Sequence, residues 1–285
     1  MTRTLVGLIG ANIQQSLSPA LHEDAFAALG STGHYHLMDV DTLPGRTLPD
    51  LLGAARTAGF AGVNVTFPFK EAVIALLDSV SDEARQIGAV NTVVIDRDGS
   101  TTGHNTDRSG FRAAFAEAFG ADAVRGKRVL QLGAGGAGRA VAFALSDLGA
   151  ASIALYDRDS ARAHTLARDL DGRAEPIEAP EPVAATVACI VNATPIGMLG
   201  HAGVPMSPEL VQSGQIVADV IYTPLETDFV LAAKKRGART MGGAGMCVHQ
   251  AVGAFELFAR RPADVERMRR TFLAAAERRS KGDQP

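Results

Sequence analysis

The sequence predicts an α/β protein with more than one domain. Short apolar runs of strand length alternate with segments of helical periodicity along most of the chain. A glycine-rich stretch directly follows one of these apolar runs, at residues 133–138. The length of 285 residues is sufficient for about two domains. Together these observations favour parallel sheets covered by helices.

The first hundred residues predict strands separated by helices and ending in a hairpin. Apolar runs of strand length lie at Leu5–Ile9, Tyr35–Val40 and Ala61–Val65. Helical spacing predicts helices over Pro19–Leu29 and Leu48–Ala58, and Pro68 is placed to open another. The pair Asp98-Gly99 predicts a hairpin turn between strands at Ala89–Ile95 and Thr101–His104.

The second half has a more regular alternation of elements. Strands are predicted at Lys127–Leu132, Ser152–Tyr156, Val187–Val191 and Ile216–Val220. Helices are predicted at Phe111–Phe119, Arg139–Leu148, Ala161–Leu170 and Leu225–Arg236, with two more at Met246–Phe258 and Pro262–Ala276. The polar, proline-rich segment Asp171–Ala185 is expected to be a mobile connection.

Composition and charge exclude several classes of protein. The formal net charge is −3, and the arginines clustered near the C-terminus are interleaved with Glu266 and Glu277, as on a solvated helix face, so we expect no nucleic-acid partner. No apolar run is long enough for a membrane span, and the N-terminus lacks the pattern of a signal peptide, so we expect a cytoplasmic protein. The seven histidines show no metal-ligand spacing, and no metal is expected.

The glycine-rich stretch has the pattern and the context of a dinucleotide-binding loop. It follows the apolar run VLQL and opens the helical segment RAVAFAL. Its glycines permit a tight turn, close approach of the backbone to a pyrophosphate, and close packing of helix against strand. The residues expected to bind the cofactor here are Gly133, Ala134, Gly135, Gly136, Ala137 and Gly138.

Asp157 indicates which dinucleotide the loop would bind. It ends a strand about 20 residues after the last glycine, where an acidic side chain accepts hydrogen bonds from the adenosine ribose hydroxyls. The same carboxylate repels the 2′-phosphate of NADP, so NAD is favoured and NADP is the less favoured cofactor. Arg158 is open to two interpretations, an adenine or phosphate contact and an ordinary exposed arginine.

Polar clusters at predicted strand ends in the first hundred residues indicate a ligand site. Ser16 and Ser18 precede a helix, where two hydroxyls can bind a carboxylate, although Ser18 could equally be an N-cap. Asn64, Thr66 and Lys70 follow another strand at the edge where open α/β sheets bind ligands.

The chain resembles the shikimate dehydrogenase family. The matching stretches run in order from residue 16 to 255: SLSPALH, GVNVTFPFK, IGAVNTVV, GHNTDRSGF, GAGGAGRA, VNATPIGM, DVIYTPLET and GMCVHQAVGAF. NVTFPFK and HNTD are highly specific, whereas the glycine loop is not. The resemblance implies a substrate-binding and catalytic domain of residues 1–106 plus 243–285, with a Rossmann NAD-binding domain of residues 107–242 inserted in it.

The resemblance also implies roles for individual residues. Lys70 and Asp107 would form the catalytic pair, and Ser16 and Ser18 would hold a substrate carboxylate with help from Tyr222. The residues implied for the ring hydroxyls are Asn64, Thr66, Asn91, Asp107 and Gln250. Those implied to line the nicotinamide side are Asn192, Thr194, Pro195 and Gly243. His249, next to Gln250, is interpreted as a structural histidine or as a second contact.

The implied reaction is NAD-dependent interconversion of shikimate and 3-dehydroshikimate, with quinate as a further substrate. Family members that accept quinate can carry threonine where this chain has Ser18, which leaves the choice between shikimate and quinate open. The alternatives are a dehydrogenase of an amino-substituted analogue and a non-catalytic NAD-binding sensor, against which the retention of Lys70 and Asp107 argues. The expected oligomeric state is a monomer or a homodimer.

Overall fold

The computed structural model describes residues 3–280, and the chain divides into two compact units. One unit is the described part of Met1–Thr106 and Val248–Pro285, and the other is Asp107–Cys247. The sequence-based division has its boundaries at 106/107 and 242/243. Its terminal residues 1–2 and 281–285 lie outside the described part of the chain.

The first unit is built on a six-stranded mixed sheet in the order β2-β1-β3-β5-β6-β4. β1 is parallel to β2 and β3, β5 is antiparallel to β3 and β6, and β4 is parallel to β6. The strands are β1 (Arg3–Gly10), β2 (Thr32–Asp39), β3 (Gly62–Val65), β4 (Ser79–Val80), β5 (Thr92–Ile95) and β6 (Thr101–His104). Because β2 and β3 flank β1 on opposite sides, a topological switch point lies between β1 and β3.

Three helices connect these strands: α1 (Ser18–Ala28), α2 (Leu48–Thr57) and α3 (Asp82–Ile87). α2 begins with a capping box, in which the Thr47 side chain accepts from the Asp50 N–H and the Asp50 carboxylate accepts from the Thr47 N–H. Its apolar face packs Leu51 and Leu52 in a buried cluster with residues such as Val63 of β3. This packing holds β3, and the motif after it, against the helix layer.

Two predictions for the first unit need correction. A helix opening at Pro68 is wrong, because the Thr66 carbonyl accepts the Phe69 N–H at 2.8 Å in a tight turn across the proline. The chain then forms only a 3-10 helix at Ala72–Leu76. The hairpin is confirmed, but β5 starts at Thr92, and the Val90 N–H before it donates to the Lys70 carbonyl in the turn after β3.

The second unit contains a six-stranded, fully parallel sheet in the order β12-β11-β10-β7-β8-β9. Its strands are β7 (Arg128–Leu132), β8 (Ser152–Tyr156), β9 (Ala174–Pro176), β10 (Cys189–Asn192), β11 (Ile216–Asp219) and β12 (Arg239–Met241). From β7 the chain adds β8 and β9 on one side and β10, β11 and β12 on the other. This is the doubly wound order of dinucleotide-binding sheets, and it confirms the predicted Rossmann architecture.

The helices of the second unit are α4 (Asp107–Phe119), α5 (Gly136–Asp147), α6 (Ser160–Asp169), α7 (Glu181–Ala184) and α8 (Asp228–Lys235). α4 begins four residues earlier than the apolar periodicity indicates, and the acidic Asp107 in its first turn suits the positive end of the helix dipole. β9 and α7 lie in the segment predicted to be a mobile connection, so that prediction is wrong. A short proline-rich strand at a sheet edge gives little periodicity to detect.

Two C-terminal helices complete the chain, α9 (Ala244–Ala259) and α10 (Val265–Ser280). Within the first unit, α10 is fastened to α1 by an ion pair. Both Nη2 and Nε of Arg267 donate to the Asp24 carboxylate, at 2.7 and 2.8 Å, and the Thr271 hydroxyl donates to it at 2.9 Å. Of the described helices, none is long and apolar enough to cross a membrane.

Asp24→Asn should weaken this fastening in a pH-dependent way. The hydrogen bond from Arg267 is the main reason that the pKa of Asp24 lies below its ordinary 3.8. A carboxyl with a lowered pKa stabilises the fold above its unfolded-state pKa, and this contribution is lost as the pH falls through the folded-state pKa. We expect Asp24→Asn to lower the Tm by about 2–4 °C at neutral pH. In thermal melts across pH, the gap to wild type should shrink below pH 3.8, and a constant gap would contradict the assignment.

Candidate active site

The motif residues of the first unit lie at its switch point. Ile9 of β1 is opposite Val65 of β3 in the parallel register, so the loops after these two strands start side by side. The Thr66 N–H donates to the Ile9 carbonyl at 3.0 Å, and the Ala11 N–H donates to the Phe67 carbonyl at 2.9 Å. This edge is where open α/β sheets bind their ligands.

Ser16 and Ser18 lie at the start of α1, downstream of a loop that is held by Asp39. Asp39 is 1% exposed, and its carboxylate accepts the N–H groups of Asn12, Ile13 and Asp41 together with the Gln14 amide. Burial alone would raise the pKa of Asp39, but these hydrogen bonds outweigh it and lower the pKa below the ordinary value. Sequence reasoning missed Asp39, which anchors the backbone before the two serines.

The two serines are arranged around the first backbone N–H of α1. Ser18 is the first residue of the helix, and the N-cap position is Leu17, without a side-chain cap. The Ser18 N–H donates to the Ser16 hydroxyl oxygen at 3.2 Å. The N-cap interpretation of Ser18 is therefore wrong, and both side chains are half-buried at a helix N-terminus that favours an anion.

The second motif comes directly after β3. Asn64 is the buried third residue of that strand, and its side chain bonds to Tyr35, Asn91 and Thr92. Thr66 and Lys70 are half-buried in the turn beyond the strand. The Lys70 carbonyl accepts the Val90 N–H at 2.8 Å, which ties this turn to the segment before β5.

Asn91, directly before β5, is hydrogen-bonded to the end of β6 and to the residues after it, at the same edge of the sheet. It is 3% exposed, its N–H donates to the His104 carbonyl at 3.0 Å, and its side-chain oxygen accepts the Thr106 N–H at 2.8 Å. Gln250 is half-buried on α9 in the same unit. Asp107, the first residue of the second unit, is 5% exposed at the start of α4.

The glycine loop of the second unit requires its glycines for steric reasons. Gly133 has φ +101°, and a Cβ on it would lie 2.6 Å from the Ala193 carbonyl oxygen. A Cβ on Gly138 would lie 2.3 Å from the Gly133 carbonyl oxygen. Gly135 is different, because the nearest atom to its Cβ position is an Arg162 nitrogen at 3.7 Å. That face of the loop is therefore open for a ligand.

Side chains around the loop fix its shape and its charge. Gln131 is fully buried, and its Nε2 donates at 2.8 Å to the carbonyls of both Gly133 and Gly138. Asp157 accepts the Ala134 N–H at 2.7 Å and the Asp159 N–H at 2.9 Å, so its carboxylate lies beside the loop. Gln131 was missed by sequence reasoning, although a polar residue inside the apolar run VLQL was a signal.

Asn192 and Asp219, at the C-terminal ends of β10 and β11, form a cluster of polar contacts. The Asn192 amide donates to Asp219 at 3.1 Å, and its oxygen accepts the Thr194 N–H and hydroxyl at 3.0 and 2.7 Å. Asp219 is fully buried, and desolvation raises its pKa even though it accepts from Ile221 and Thr227 as well. The sequence gives no periodic signal for Asp219, which holds the segments that carry Thr194 and Tyr222.

Gly243 and Pro195 complete the predicted cofactor residues of this unit. The Gly243 N–H donates to the Ile221 carbonyl at 2.9 Å, and a Cβ on Gly243 would lie 2.2 Å from the Val220 carbonyl oxygen. A glycine is therefore required for close packing of two backbones. Pro195 and Arg158 are exposed, and Tyr222 is half-buried three residues after the end of β11.

These features fit a dinucleotide. The 12-residue helix α5 begins directly after Gly135, which provides no side-chain cap, so the amides of its first turn face the open side of the loop. The loop lies at the switch point, since Leu132 of β7 is opposite Asn192 of β10. Among the described residues there is no group of three or more His, Cys, Asp or Glu side chains that could hold a metal ion.

Comparisons with known proteins agree with this arrangement. Residues 8–93 match the family model of the shikimate dehydrogenase substrate binding domain. A quinate/shikimate dehydrogenase (NAD(+)) of Corynebacterium efficiens is 45% identical, over 95% of this chain and 98% of that protein. A shikimate dehydrogenase (NADP(+)) of Streptomyces avermitilis is 47% identical, over 93% of each chain.

Solved structures give the same result. The quinate dehydrogenase of Corynebacterium glutamicum in complex with NAD superposes with a TM-score of 0.90 at 41% identity, over 96% of this chain and all of that chain. Identity at this level over nearly the whole length leaves no large part of the fold unmatched. The chain therefore belongs to the shikimate dehydrogenase family.

Proposed function

We propose that this protein is an NAD-dependent dehydrogenase that interconverts shikimate and 3-dehydroshikimate, with quinate and 3-dehydroquinate as its second substrate pair. The observation that carries the proposal is the position of the motif residues. The serines, Thr66 and Lys70 lie beyond the C-terminal edge of one sheet, and the glycine loop and Asp157 lie beyond that of the other. Both sets lie where open α/β sheets bind ligands.

The proposed substrate domain is residues 1–106 plus 243–285 and the proposed cofactor domain is residues 107–242, whereas the compact unit that carries the glycine loop extends to Cys247. In the cofactor unit, the amides after Gly135 hold the pyrophosphate, and Asp157 accepts the adenosine ribose hydroxyls. Bound NAD supplies the hydride acceptor for oxidation of the alcohol. Thr194, Pro195 and Gly243 line the nicotinamide side, and Asn192 supports them.

Asp157 is the reason for choosing NAD over NADP. The two relatives at 45% and 47% identity differ in cofactor by name, so overall identity does not decide the matter. A carboxylate beside the loop repels a 2′-phosphate, whereas it is a good acceptor for two ribose hydroxyls. Arg162, 3.7 Å from the Gly135 Cβ position, adds a positive charge near the phosphate site that sequence reasoning missed.

In the substrate unit, Ser16 and Ser18 hold the carboxylate with help from the N-terminus of α1. Thr66, Asn91, Asp107 and Gln250 take the ring hydroxyls. Lys70 accepts the proton of the reacting hydroxyl as the alcohol is oxidised, and it returns that proton to the ketone oxygen in the reverse direction. Asp107 is the second member of the proposed catalytic pair, and its carboxylate orients the reacting hydroxyl.

The two other functions make different predictions. A dehydrogenase of an amino-substituted analogue would use the same residues and would turn over the amine faster than shikimate. An NAD-binding sensor would bind the cofactor without turnover. A monomeric or homodimeric state and a cytoplasmic location stay predictions from the sequence, and light scattering on the purified protein tests the first.

Replacement of Lys70 should abolish turnover with little effect on binding. Loss of a proton-transfer group costs about 10²–10⁴-fold in kcat, while KM for shikimate should change little. We would measure initial rates at alkaline pH with shikimate or quinate and NAD or NADP, comparing wild type, Lys70→Ala and Lys235→Ala. Lys235 is an exposed lysine on α8, so its variant controls for loss of a lysine charge.

The outcomes of this assay are distinct. Fast oxidation of shikimate with NAD by the wild type and by Lys235→Ala, but not by Lys70→Ala, supports the proposal. Binding of NAD without oxidation of either acid would favour the sensor or the amine dehydrogenase. Equal activity of Lys70→Ala and wild type would remove Lys70 from the reaction.

Replacement of Asp157 should change the choice of cofactor. Asp157→Asn loses a charge-assisted bond to the ribose, so kcat/KM for NAD should fall about 10–100-fold while the penalty against NADP decreases. Asp159→Asn is the neighbouring control, because Asp159 caps α6 by accepting the Ala161 N–H and pairs with Arg162 at 3.4 Å, so its variant removes a nearby carboxylate other than the one that accepts the Ala134 N–H. An unchanged NAD to NADP ratio in Asp157→Asn would show that this carboxylate does not select the cofactor.

A further inference from the structure

A chain of buried hydrogen bonds in the first unit runs from Tyr35 through Asn64 and Thr92 to Asn91. Tyr35, Asn64, Asn91 and Thr92 are between 0% and 7% exposed. Asn91 is one of the residues assigned above to the ring hydroxyls, so any role of this chain in substrate binding rests on the proposed function. The direction of each bond can be worked out, because two backbone groups at fixed positions act only as acceptor or only as donor.

The first of these two groups is the backbone carbonyl of Asn91, which can only accept a hydrogen bond. The side-chain nitrogen of Asn64 lies 3.2 Å from that carbonyl and must be the donor, which places the Asn64 oxygen on the opposite side. That oxygen can only accept, so the Tyr35 hydroxyl, 2.8 Å away, must donate to it. Tyr35 thus holds the Asn64 amide in one of its two orientations.

Thr92 connects the Asn64 amide to the side chain of Asn91. The second amide hydrogen of Asn64 is donated to the Thr92 hydroxyl oxygen at 2.9 Å. The Thr92 hydroxyl has one hydrogen of its own, and it donates to the side-chain oxygen of Asn91 at 2.9 Å. Both amide hydrogens of Asn64 are therefore donated to the protein, and Asn64 has no donor left for a ring hydroxyl.

The second fixed point is the Thr106 N–H, which can only donate. It donates to the side-chain oxygen of Asn91 at 2.8 Å, from the opposite end of the chain. The Asn91 oxygen thus receives both Thr92 and Thr106, and the Asn91 amide cannot turn over without leaving two donors facing a nitrogen. Its nitrogen donates one hydrogen to the Thr106 hydroxyl at 2.9 Å. Among the described residues, no protein acceptor takes the other hydrogen.

We propose that Tyr35, Asn64 and Thr92 are positioning residues that fix Asn91 as a hydrogen-bond donor to the substrate, so that the site selects an acceptor oxygen there and rejects a protonated amine. A hydroxyl oxygen accepts from an N–H, whereas an ammonium has only donors and leaves the Asn91 N–H unpaired. Asn64 acts on the ring hydroxyls through Asn91 and not by direct contact.

The surroundings of Tyr35 hold its ring in place. His22 stacks on it with ring centroids 4.7 Å apart and an interplanar angle of 25°. His22 is 1% exposed, and burial lowers its pKa to about 3, so its ring is neutral at the pH of the assay. A neutral neighbour does not compete for the Tyr35 hydroxyl by charge.

The test uses a matched pair of variants at Thr92. Thr92→Val keeps the shape of the side chain and removes the hydroxyl, whereas Thr92→Ser keeps the hydroxyl and removes a methyl group. Tyr35→Phe cuts the chain at its far end by removing one oxygen. Thr101→Val is the control for loss of a buried hydroxyl, since Thr101 lies at the other end of β6 and bonds to Asp78.

Two quantities would be measured for each variant: the KM for shikimate, and the inhibition constants of mono-amino analogues of shikimate, one for each ring hydroxyl. For wild type, at least one analogue should bind about 100-fold more weakly than shikimate. Thr92→Val should raise KM for shikimate about tenfold and reduce that discrimination by a similar factor. Tyr35→Phe should shift both in the same direction, and combining the two changes should be less than additive, because they break one chain.

Thr92→Ser and Thr101→Val should keep the wild-type KM for shikimate and the wild-type discrimination against the amino analogues, whatever their Tm. An effect of equal size in Thr92→Val and Thr92→Ser would mean that only packing matters and would overturn the proposal. If Thr92→Val and Tyr35→Phe fold and both keep the wild-type KM and the wild-type discrimination, the proposal is also overturned. The proposed dehydrogenase function would not be affected by that result. A wild-type protein that oxidises neither acid would remove both proposals together.

Discussion

Parallel pairing of non-consecutive strands is the constraint on which both units depend. In the first unit β1 pairs with β3, and in the second β7 pairs with β10, so each pair joins segments that are far apart in the chain. Because parallel strands end at the same edge, every motif that comes after a strand of the pair is delivered to that edge. The pairing thereby assembles polar groups that the linear sequence keeps about 50 or more residues apart, as the strand bounds show.

Steric closeness is the second requirement at these edges. Backbones approach each other so tightly at Gly133 and Gly243 that a Cβ would overlap a carbonyl oxygen. The open face at Gly135 stands out against this crowding, because a ligand and not the protein would fill it. The glycine pattern therefore combines two different physical demands, internal packing and access for a pyrophosphate.

Buried polar side chains connect the motif residues to the framework. Asp39 holds the loop before the serines, Gln131 closes the glycine loop, and Asp219 supports Asn192. Both carboxylates, and the nitrogen of the Gln131 amide, make several hydrogen bonds, which offsets much of the desolvation penalty of burying them. Since these bonds have a fixed direction, they determine both where a neighbouring side chain lies and whether it presents a donor or an acceptor.

The sequence by itself determined the fold class, the strands with strong apolar runs, the dinucleotide loop and the family motifs, because these depend on local periodicity and on residues close together in the chain. It failed at Pro68, where a tight turn from Thr66 to Phe69 replaces a helix, and at the start of α4, whose first residues lie outside the apolar periodicity. It also failed along Asp171–Ala185, where parallel pairing with β8 makes β9. Only the tertiary structure revealed Asp39, Asp219 and the chain from Tyr35 to Asn91. The bonds from Ile13 to Asp39, from Asn192 to Asp219 and from Tyr35 to Asn64 span 26 to 29 residues, and no local pattern encodes a hydrogen bond over that separation.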